Sequence, residues 1–360
     1  MRKSILYGCI TAGIMFLMQS ALFAANGEEN SKTLPSEDKM NSENSGIQRD
    51  FPTFTNPVFP NVAADPCIVF FEGKYYAAMS GENGIDLFCS DRIGGLGQSR
   101  PIRIFNGEKG TDHACQFWAP EFHRINGIWY CYFTGSPGNI NEHRMFVLRC
   151  LDAAPDGRWE FAGALTGGDD GWCIDGTVFI HEDRPYMIYA HGSPKGEQLV
   201  IRPMLSPVEL GSERAVIAEP RPEDKGVLEG AFQLQTKKHN LLIISANQSH
   251  TDDYQLTALE LVGGNPMDPK CWKRLDKPFM TKSDTEFGPG HCSVFALDDS
   301  SFYLAMHVIT ASGSGWQGRK IWVQKIELDA DGYPAAGQHP VRAGSPQPEP
   351  GRRSKRPAMK

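Results

Sequence analysis

Three carboxylic acids and two aromatic side chains stand at comparable points of the chain, each at the start of a strand-like run. Asp65 opens "DPCIVFF", Asp175 opens "DGTVFIH" and Glu229 opens "EGAFQLQ". Trp118 and His291 open two similar runs, "WAPEFHRI" and "HCSVFAL". An acidic residue before a strand is, taken singly, most often a turn residue. Five such residues, each at the start of a similar run, favour a shared binding site. Clustered carboxylates repel one another and lower the stability of the fold, so a purely structural role does not account for them.

Two carboxyl groups on opposite sides of a pocket can hydrolyse a glycosidic bond. The protonated one donates to the leaving oxygen, and the ionised one activates a water on the other face of the sugar. The donor needs a raised pKa to stay protonated near neutral pH, and a third carboxylate nearby raises it by repulsion. Trp118 would offer an apolar face to the sugar ring. Spacing alone leaves open which of the three carboxyl groups takes which role.

The strand-like runs that follow these residues form a repeat. A turn signal followed by a short aromatic or branched apolar run occurs five times, in steps of 54, 57, 55 and 61 residues, at Tyr75, Trp129, Tyr186, Leu241 and Phe302. No amphipathic helix lies between the copies, which excludes helical solenoids and alternating βα folds. The sequence therefore predicts an all-β fold, a five-bladed β-propeller with the five residues ringed around one end of its axis. A β-sandwich is the alternative, but it does not account for similar steps.

The ends of the 360-residue chain differ in composition from its body. Residues 1–25 combine a basic start, a short apolar run and small residues, which predicts a cleaved secretory signal peptide. Residues 26–50 are almost devoid of apolar side chains and predict a disordered leader. Residues 341–360, rich in proline and basic residues, predict a disordered basic tail. The propeller is thus predicted to occupy residues 51–340.

Charge and cysteine content limit the partners and the compartment. The net charge of −7, without a basic stripe in the body, argues against a nucleic-acid partner. Signal cleavage predicts a secreted or periplasmic protein that leaves the membrane, and we expect a monomer. Eight of the nine cysteines lie after the signal, fit no zinc pattern and predict no particular disulfide pairing.

From about residue 54 to residue 334 the chain resembles the five-bladed propeller enzymes of glycoside hydrolase family 43. The segments "NPVFPNVAADP", "FWAPEF", "IDGTVF" and "LEGAFQLQ" are similar to the family's motifs. The resemblance implies that Asp65 is the general base, Glu229 the general acid, and Asp175 the carboxylate that orients the acid and modulates its pKa. It also implies that Trp118 lies in the sugar pocket and that Arg319 contacts substrate.

A further segment, "FGPGHCSVF", is particularly similar to the exo-acting α-L-arabinofuranosidase branch of that family. It implies that His291 lies on the axis, binds substrate and contacts a metal ion, directly or through water. The implied cofactor is one structural calcium ion, and no organic cofactor is expected. Ala231 departs from the family's usual Glu-Gly-Pro, and Cys67 replaces a commoner aromatic or branched residue. These departures leave the exact sugar open.

The sequence therefore predicts a secreted, inverting glycoside hydrolase with a carbohydrate substrate. We expect it to remove pentose residues, α-L-arabinofuranose first among them, from plant polysaccharides or oligosaccharides. A β-xylosidase or endo-arabinanase of the same family, or a non-catalytic carbohydrate-binding propeller, are the alternatives. An inverting mechanism predicts that the carboxyl groups of Asp65 and Glu229 are about 6.5–9.5 Å apart, and about 5 Å would instead indicate a retaining enzyme.

Overall fold

The structure is a computed structural model that describes residues 52–350. The predicted signal peptide, residues 1–25, and the predicted leader, residues 26–50, lie outside the described residues, as do residues 51 and 351–360. No helix within residues 52–350 is long and apolar enough to cross a membrane.

The described chain consists of short antiparallel strands joined by turns. In chain order the strands are β1 Thr53–Thr55, β2 Cys67–Phe71, β3 Lys74–Gly81, β4 Gly84–Ser90, β5 Ile102–Asn106, β6 Cys115–Ile125, β7 Ile128–Ser136, β8 Arg144–Cys150, β9 Trp159–Ala164, β10 Cys173–His181, β11 Arg184–Ser193, β12 Gly196–Ser206, β13 Glu209–Leu210, β14 Ala215–Ala218, β15 Leu228–Gln235, β16 Asn240–Ala246, β17 Gln255–Leu261, β18 Trp272–Arg274, β19 Phe287–Asp298, β20 Ser301–Ile309, β21 Arg319–Lys325 and β22 Pro346–Pro348. Short 3₁₀ helices lie at Ile93–Gln98, Ile140–Glu142, Gly168–Asp170, Pro222–Asp224, Pro269–Cys271 and Gly315–Gly318.

These strands form five blades in a ring, which confirms the predicted β-propeller. The blades are β2–β5, β6–β9, β10–β14, β15–β18 and β19–β21. The first strands of successive blades contact one another in ring order, and β19 of the fifth blade contacts β2 of the first. The matched aromatic or apolar residues of the repeat all lie near the start of the second strand of their blade. The predicted repeat is therefore the blade itself.

The apolar residues of the repeat fill the interfaces between blades. Five buried clusters lie one at each interface, between blades 1 and 2, 2 and 3, 3 and 4, 4 and 5, and 5 and 1. Aromatic and branched side chains dominate them, for example Phe133 between the first two blades and Trp322 between the last two. Apolar burial drives this packing, so each blade is stable only beside its neighbours.

The N-terminal segment closes the ring by completing the fifth blade. Phe59 forms a bridge with Ile321 of β21. The Asn56 side chain donates to the Val323 carbonyl and accepts from the Val323 N–H, both at 2.9 Å. The edge strand of the last blade thus finds its backbone partners in the segment that precedes the first blade, which removes an exposed edge.

The prediction of a disordered tail from residue 341 is wrong for residues 341–350. There β22 pairs antiparallel with β1, and the Glu349 carboxylate accepts from the N–H groups of Ile93 and Gly94, each at 2.9 Å. Proline is compatible with such a short edge strand, because that strand needs few of its own donors. The proline and charge that suggested disorder are here used for edge pairing and anchoring.

Candidate active site

Each blade has a residue in the left-handed conformation in or just before its first strand. The left-handed residues at these points, with φ between 44° and 58°, are Asp65, Ala119, Asp175, Gly230 and His291. In blades two to five the pairing of the first strand with its neighbour shifts at this residue. Left-handed non-glycine residues are strained and concentrate at functional sites, and bulges re-aim side chains there.

The five residues that the sequence analysis aligned are therefore not all structurally equivalent, and in two blades the alignment is wrong by one residue. Asp65, Asp175 and His291 are equivalent to one another, whereas Trp118 and Glu229 each precede the equivalent residue, Ala119 or Gly230. The structure nevertheless brings all six predicted site residues, Arg319 included, to one cavity of about 330 Å³. Ile140, Ile174, Ser249 and Trp316 complete its lining.

Asp65 is surrounded by nitrogen atoms. Its Oδ1 lies 3.1 Å from His307 Nδ1, 3.4 Å from His291 Nδ1 and 3.6 Å from Arg319 Nη1. Burial alone would raise the pKa of Asp65, but His291, Arg319 and the hydrogen bond from His307 lower it well below its usual range. Burial lowers the pKa of His307 to about 4, so its neutral ring donates from Nδ1. Asp65 is consequently ionised and suited to accept a proton.

Glu229 has the opposite electrostatic environment. It is buried, and burial raises its pKa above the ordinary value, although His291 and a hydrogen bond from Tyr254 partly oppose this. The Tyr254 hydroxyl donates to Glu229 Oε1 at 2.8 Å and fixes the carboxyl group. A buried carboxyl with a raised pKa can hold a proton at neutral pH and donate it.

Asp175 interacts with both of these groups. Its Oδ2 accepts from the Gly230 N–H at 3.2 Å and lies 3.7 Å from His291 Nδ1. Its own N–H donates to Thr134 Oγ1 at 3.1 Å. Burial raises the pKa of Asp175 to about 8, with further contributions from its carboxyl neighbours. Asp175 is thus bound to the backbone beside Glu229, as an orienting group must be.

Sequence reasoning missed a fourth carboxyl group, Glu197 of β12. It interacts directly with Glu229, and burial together with the Glu229 charge raises its pKa to about 10. Its Oε2 is buried and has no donor among the described residues. Two adjoining carboxyl groups do not both ionise, so Glu197 keeps its proton. In the sequence "KGEQLV" it reads as an exposed strand residue, and only the fold brings it to the site.

Tyr254 and His307 were also missed, because each reads as an ordinary aromatic residue in or beside a strand. Trp118 stacks on His143 with ring centroids 3.8 Å apart, which fixes its indole at the cavity wall. His291 is buried, and its backbone N–H donates to Ser245 Oγ at 2.8 Å. Its pKa is raised because nearby carboxylates, Asp65 foremost, outweigh its burial.

The described residues form no preformed coordination site for the implied calcium ion. No group of three or more His, Cys, Asp or Glu side chains within residues 52–350 is arranged to hold a metal. The Nδ1 of His291 faces Asp65 and Asp175 rather than an open position. Calcium prefers six to eight oxygen ligands, so an ion at His291 would depend on water for most of them. The residues present do not fit a protein-held calcium site, and no step below uses one.

Two carboxyl groups in one cavity, one with a lowered and one with a raised pKa, fit the base and the acid of a glycoside hydrolase. The chain belongs to glycosyl hydrolases family 43, whose family model matches residues 54–334. The resemblance found in the sequence is thereby confirmed.

Several of the proteins that the chain resembles are named as arabinofuranosidases, and some similar solved structures are named as a xylosidase or a xylanase. An extracellular exo-α-(1→5)-L-arabinofuranosidase of Streptomyces chartreusis is 30% identical over 254 residues, 66% of this chain and 76% of that protein. A protein of the same name from Streptomyces avermitilis is 27% identical over 319 residues, 81% of this chain and 66% of that protein. The crystal structure of an α-L-arabinofuranosidase from Lactobacillus brevis matches with a TM-score of 0.73 at 25% identity, over 81% of this chain and 98% of that one.

Proposed function

We propose that the protein is a secreted, inverting glycosidase that removes terminal α-L-arabinofuranose from plant polysaccharides or oligosaccharides. The observation that carries the proposal is that Asp65 and Glu229 line one cavity and that their surroundings shift their pKa values in opposite directions. Relatives named as extracellular exo-α-(1→5)-L-arabinofuranosidases support both the sugar and the compartment. A binding-only propeller would need neither an ionised base nor a protonated acid.

The proposed reaction uses the two carboxyl groups in one concerted step. Glu229 donates its proton to the glycosidic oxygen while Asp65 takes a proton from a water that attacks the anomeric carbon from the opposite face. The water's oxygen forms the new bond, the leaving sugar departs as an alcohol, and the configuration at the anomeric carbon inverts. Asp175, through the Gly230 N–H, keeps Glu229 aimed at the departing oxygen.

Two substitutions and two leaving groups test these roles. The substrates are 4-nitrophenyl α-L-arabinofuranoside, whose leaving group needs little protonation, and α-1,5-linked arabinobiose, whose leaving sugar needs an acid. We expect Asp65→Ala to lower kcat by about 10²–10⁴-fold on both substrates, since water activation is needed in each case. Glu229→Ala should cost as much on arabinobiose but distinctly less on the nitrophenyl substrate. Initial rates measure this difference.

The control is Glu160→Ala, which makes the same change at a half-exposed surface ion pair with Arg149. It should leave both rates unchanged. NMR of the first sugar released should show the inverted anomer. Turnover that survives both cavity substitutions would overturn the assignment, and retention of configuration would overturn the inverting mechanism. The matching β-D-xylosides decide between an arabinofuranosidase and a β-xylosidase, and binding without turnover would favour the non-catalytic propeller.

A further inference from the structure

One large aromatic side chain at the mouth of the cavity has no role in the reaction described above. Trp316 lies in the 3₁₀ helix Gly315–Gly318 between β20 and β21, and it lines the cavity although it is 55% exposed. Among the exposed large apolar residues of the described chain, Trp316 and Ile140 line this cavity. An exposed indole at the rim of a binding pocket is typical of a ligand contact.

Trp316 is held in place before any ligand arrives. Its Nε1 donates to Ser249 Oγ at 3.2 Å, and its ring packs edge-on against His250 at 5.3 Å. The loop that carries it is tied to the same neighbouring blade, because Asp252 accepts from Ser312 Oγ and, at 3.0 Å, from the Gly313 N–H. A fixed aromatic ring loses little conformational entropy on binding, so its contact area contributes to affinity.

The anchoring residues place Trp316 beside the blade of the acid. Ser249 and His250 follow β16, the strand that pairs with the strand of Glu229. Because Glu229 would protonate the leaving oxygen, the sugar attached to that oxygen departs on its side of the cavity. We propose that the indole face of Trp316 is the platform for the sugar on the leaving-group side. This inference rests on the proposed function and adds a preference for oligosaccharides over simple glycosides.

The chemistry of an indole fits this ligand. One face of a sugar ring presents C–H groups, and an aromatic face packs against such a surface while its N–H stays hydrogen-bonded. The platform acts on the second sugar alone, so it should matter only for substrates that possess one. It binds this sugar similarly before and during the reaction, which affects KM rather than kcat.

The test compares methyl α-L-arabinofuranoside, which has no second ring, with α-1,5-linked arabinotriose. We expect Trp316→Ala to raise KM for arabinotriose by between about 2-fold and 10-fold, with kcat little changed. KM and kcat for the methyl glycoside should stay at the wild-type values. Trp316→Phe keeps an aromatic face and should retain most of the affinity. Leu205→Ala removes another exposed apolar side chain, 67% exposed and absent from the cavity lining, and serves as the control.

The outcomes separate this inference from the proposed function. Wild-type protein that turns over neither substrate nor the corresponding β-xylosides would overturn the proposed function. Normal wild-type turnover with an equal loss on both substrates in Trp316→Ala, or with no loss on either, would overturn the platform. The contact can also be measured without turnover. Arabinotriose is titrated into Glu229→Ala and into the double variant Glu229→Ala/Trp316→Leu, and the two dissociation constants are compared. Equal affinities there would also overturn it, whether or not Trp316→Ala folds.

Discussion

Glu229 is buried and Asp65 is partly buried, and their surroundings shift the pKa values of the two carboxyl groups in opposite directions. Two imidazoles and a guanidinium face Asp65 and favour its charge. At Glu229 burial outweighs His291 and the hydrogen bonds from Tyr254 and Glu197, all of which lower its pKa, so the pKa stays raised. Roles that spacing left open are thus distinguished by the charges of the side chains that surround each carboxyl group.

Glu197 should influence the alkaline limb of the pH profile. Because Glu197 holds its proton, it donates to Glu229 and lowers the pKa of Glu229. Glu197→Ala removes this donor, so the pKa of Glu229 rises and kcat/KM should fall at a higher pH than in wild type. Glu197→Gln retains an N–H donor and should move the limb less. The pH dependence of kcat/KM on arabinobiose measures both shifts.

A purely structural role for Glu197 predicts a different outcome. In that case Glu197→Ala would have a lower melting temperature, and neither limb of the pH profile would move. An alkaline limb that stays in place, or that moves to lower pH, would contradict the hydrogen bond from Glu197 to Glu229.

The blades themselves are largely predictable, because their signal is periodic. Each second strand starts with a turn and an apolar run, so five copies were visible without any contact information. The bulges are not visible in this way. Counting back from the next strand cannot detect an extra residue, and so Trp118 and Glu229 were placed one position out of phase.

Contacts between segments that are distant in the sequence were also not predicted. Glu197, Tyr254 and His307 reach the site through strand pairing that the sequence does not encode locally. The segment after residue 340 was assigned to a disordered tail because its composition resembles one. Its order depends on partners at least 255 residues earlier in the chain, namely β1 and the N–H groups of Ile93 and Gly94.

The C-terminal segment should stabilise the ring measurably. It pairs β22 with β1, anchors Glu349, and accepts the indole N–H of Trp322 at the Val341 carbonyl at 2.7 Å. Deleting residues 341–360 would leave several buried donors unpaired, at about 1–3 kcal/mol each. We expect a clear fall in the free energy of unfolding, measured by urea denaturation.

The matched control deletes residues 351–360 alone and leaves these contacts in place. It should unfold at the wild-type urea concentration. Two deletions of equal stability would show that the pairing of β1 with β22 and the contacts of Glu349 and Val341 contribute nothing of note.

Across the whole molecule, the ring carries a stability cost at its centre. Three carboxyl groups with raised pKa values, the buried Asp175 and Glu229 and the partly buried Glu197, interact where an apolar or neutral core would be more stable. The apolar clusters between all five blades offset this cost. Such an arrangement is expected where stability is exchanged for catalytic function.

Asp175→Asn should expose this cost as a pH-dependent gain in stability. The pKa of Asp175 is raised from 3.8 to about 8, so between these values the folded state binds more protons than the unfolded state. The free energy of unfolding therefore falls as the pH rises from about 4 toward 8, because unfolding releases the proton of Asp175. The asparagine does not titrate and can still accept from the Gly230 N–H. Turnover should fall, while the melting temperature relative to wild type should increase between pH 5 and pH 8 by about 2 °C or more.

Asp183→Asn is the matched control for this measurement. Asp183 also lies in the third blade with a left-handed backbone, φ 60°, but it is exposed at the turn between β10 and β11. Its substitution should leave both activity and the pH dependence of melting unchanged. A melting difference for Asp175→Asn that is the same at pH 5 and pH 8 would mean that Asp175 is ionised in the folded protein. In that case its part in the site would be limited to the hydrogen bond with Gly230.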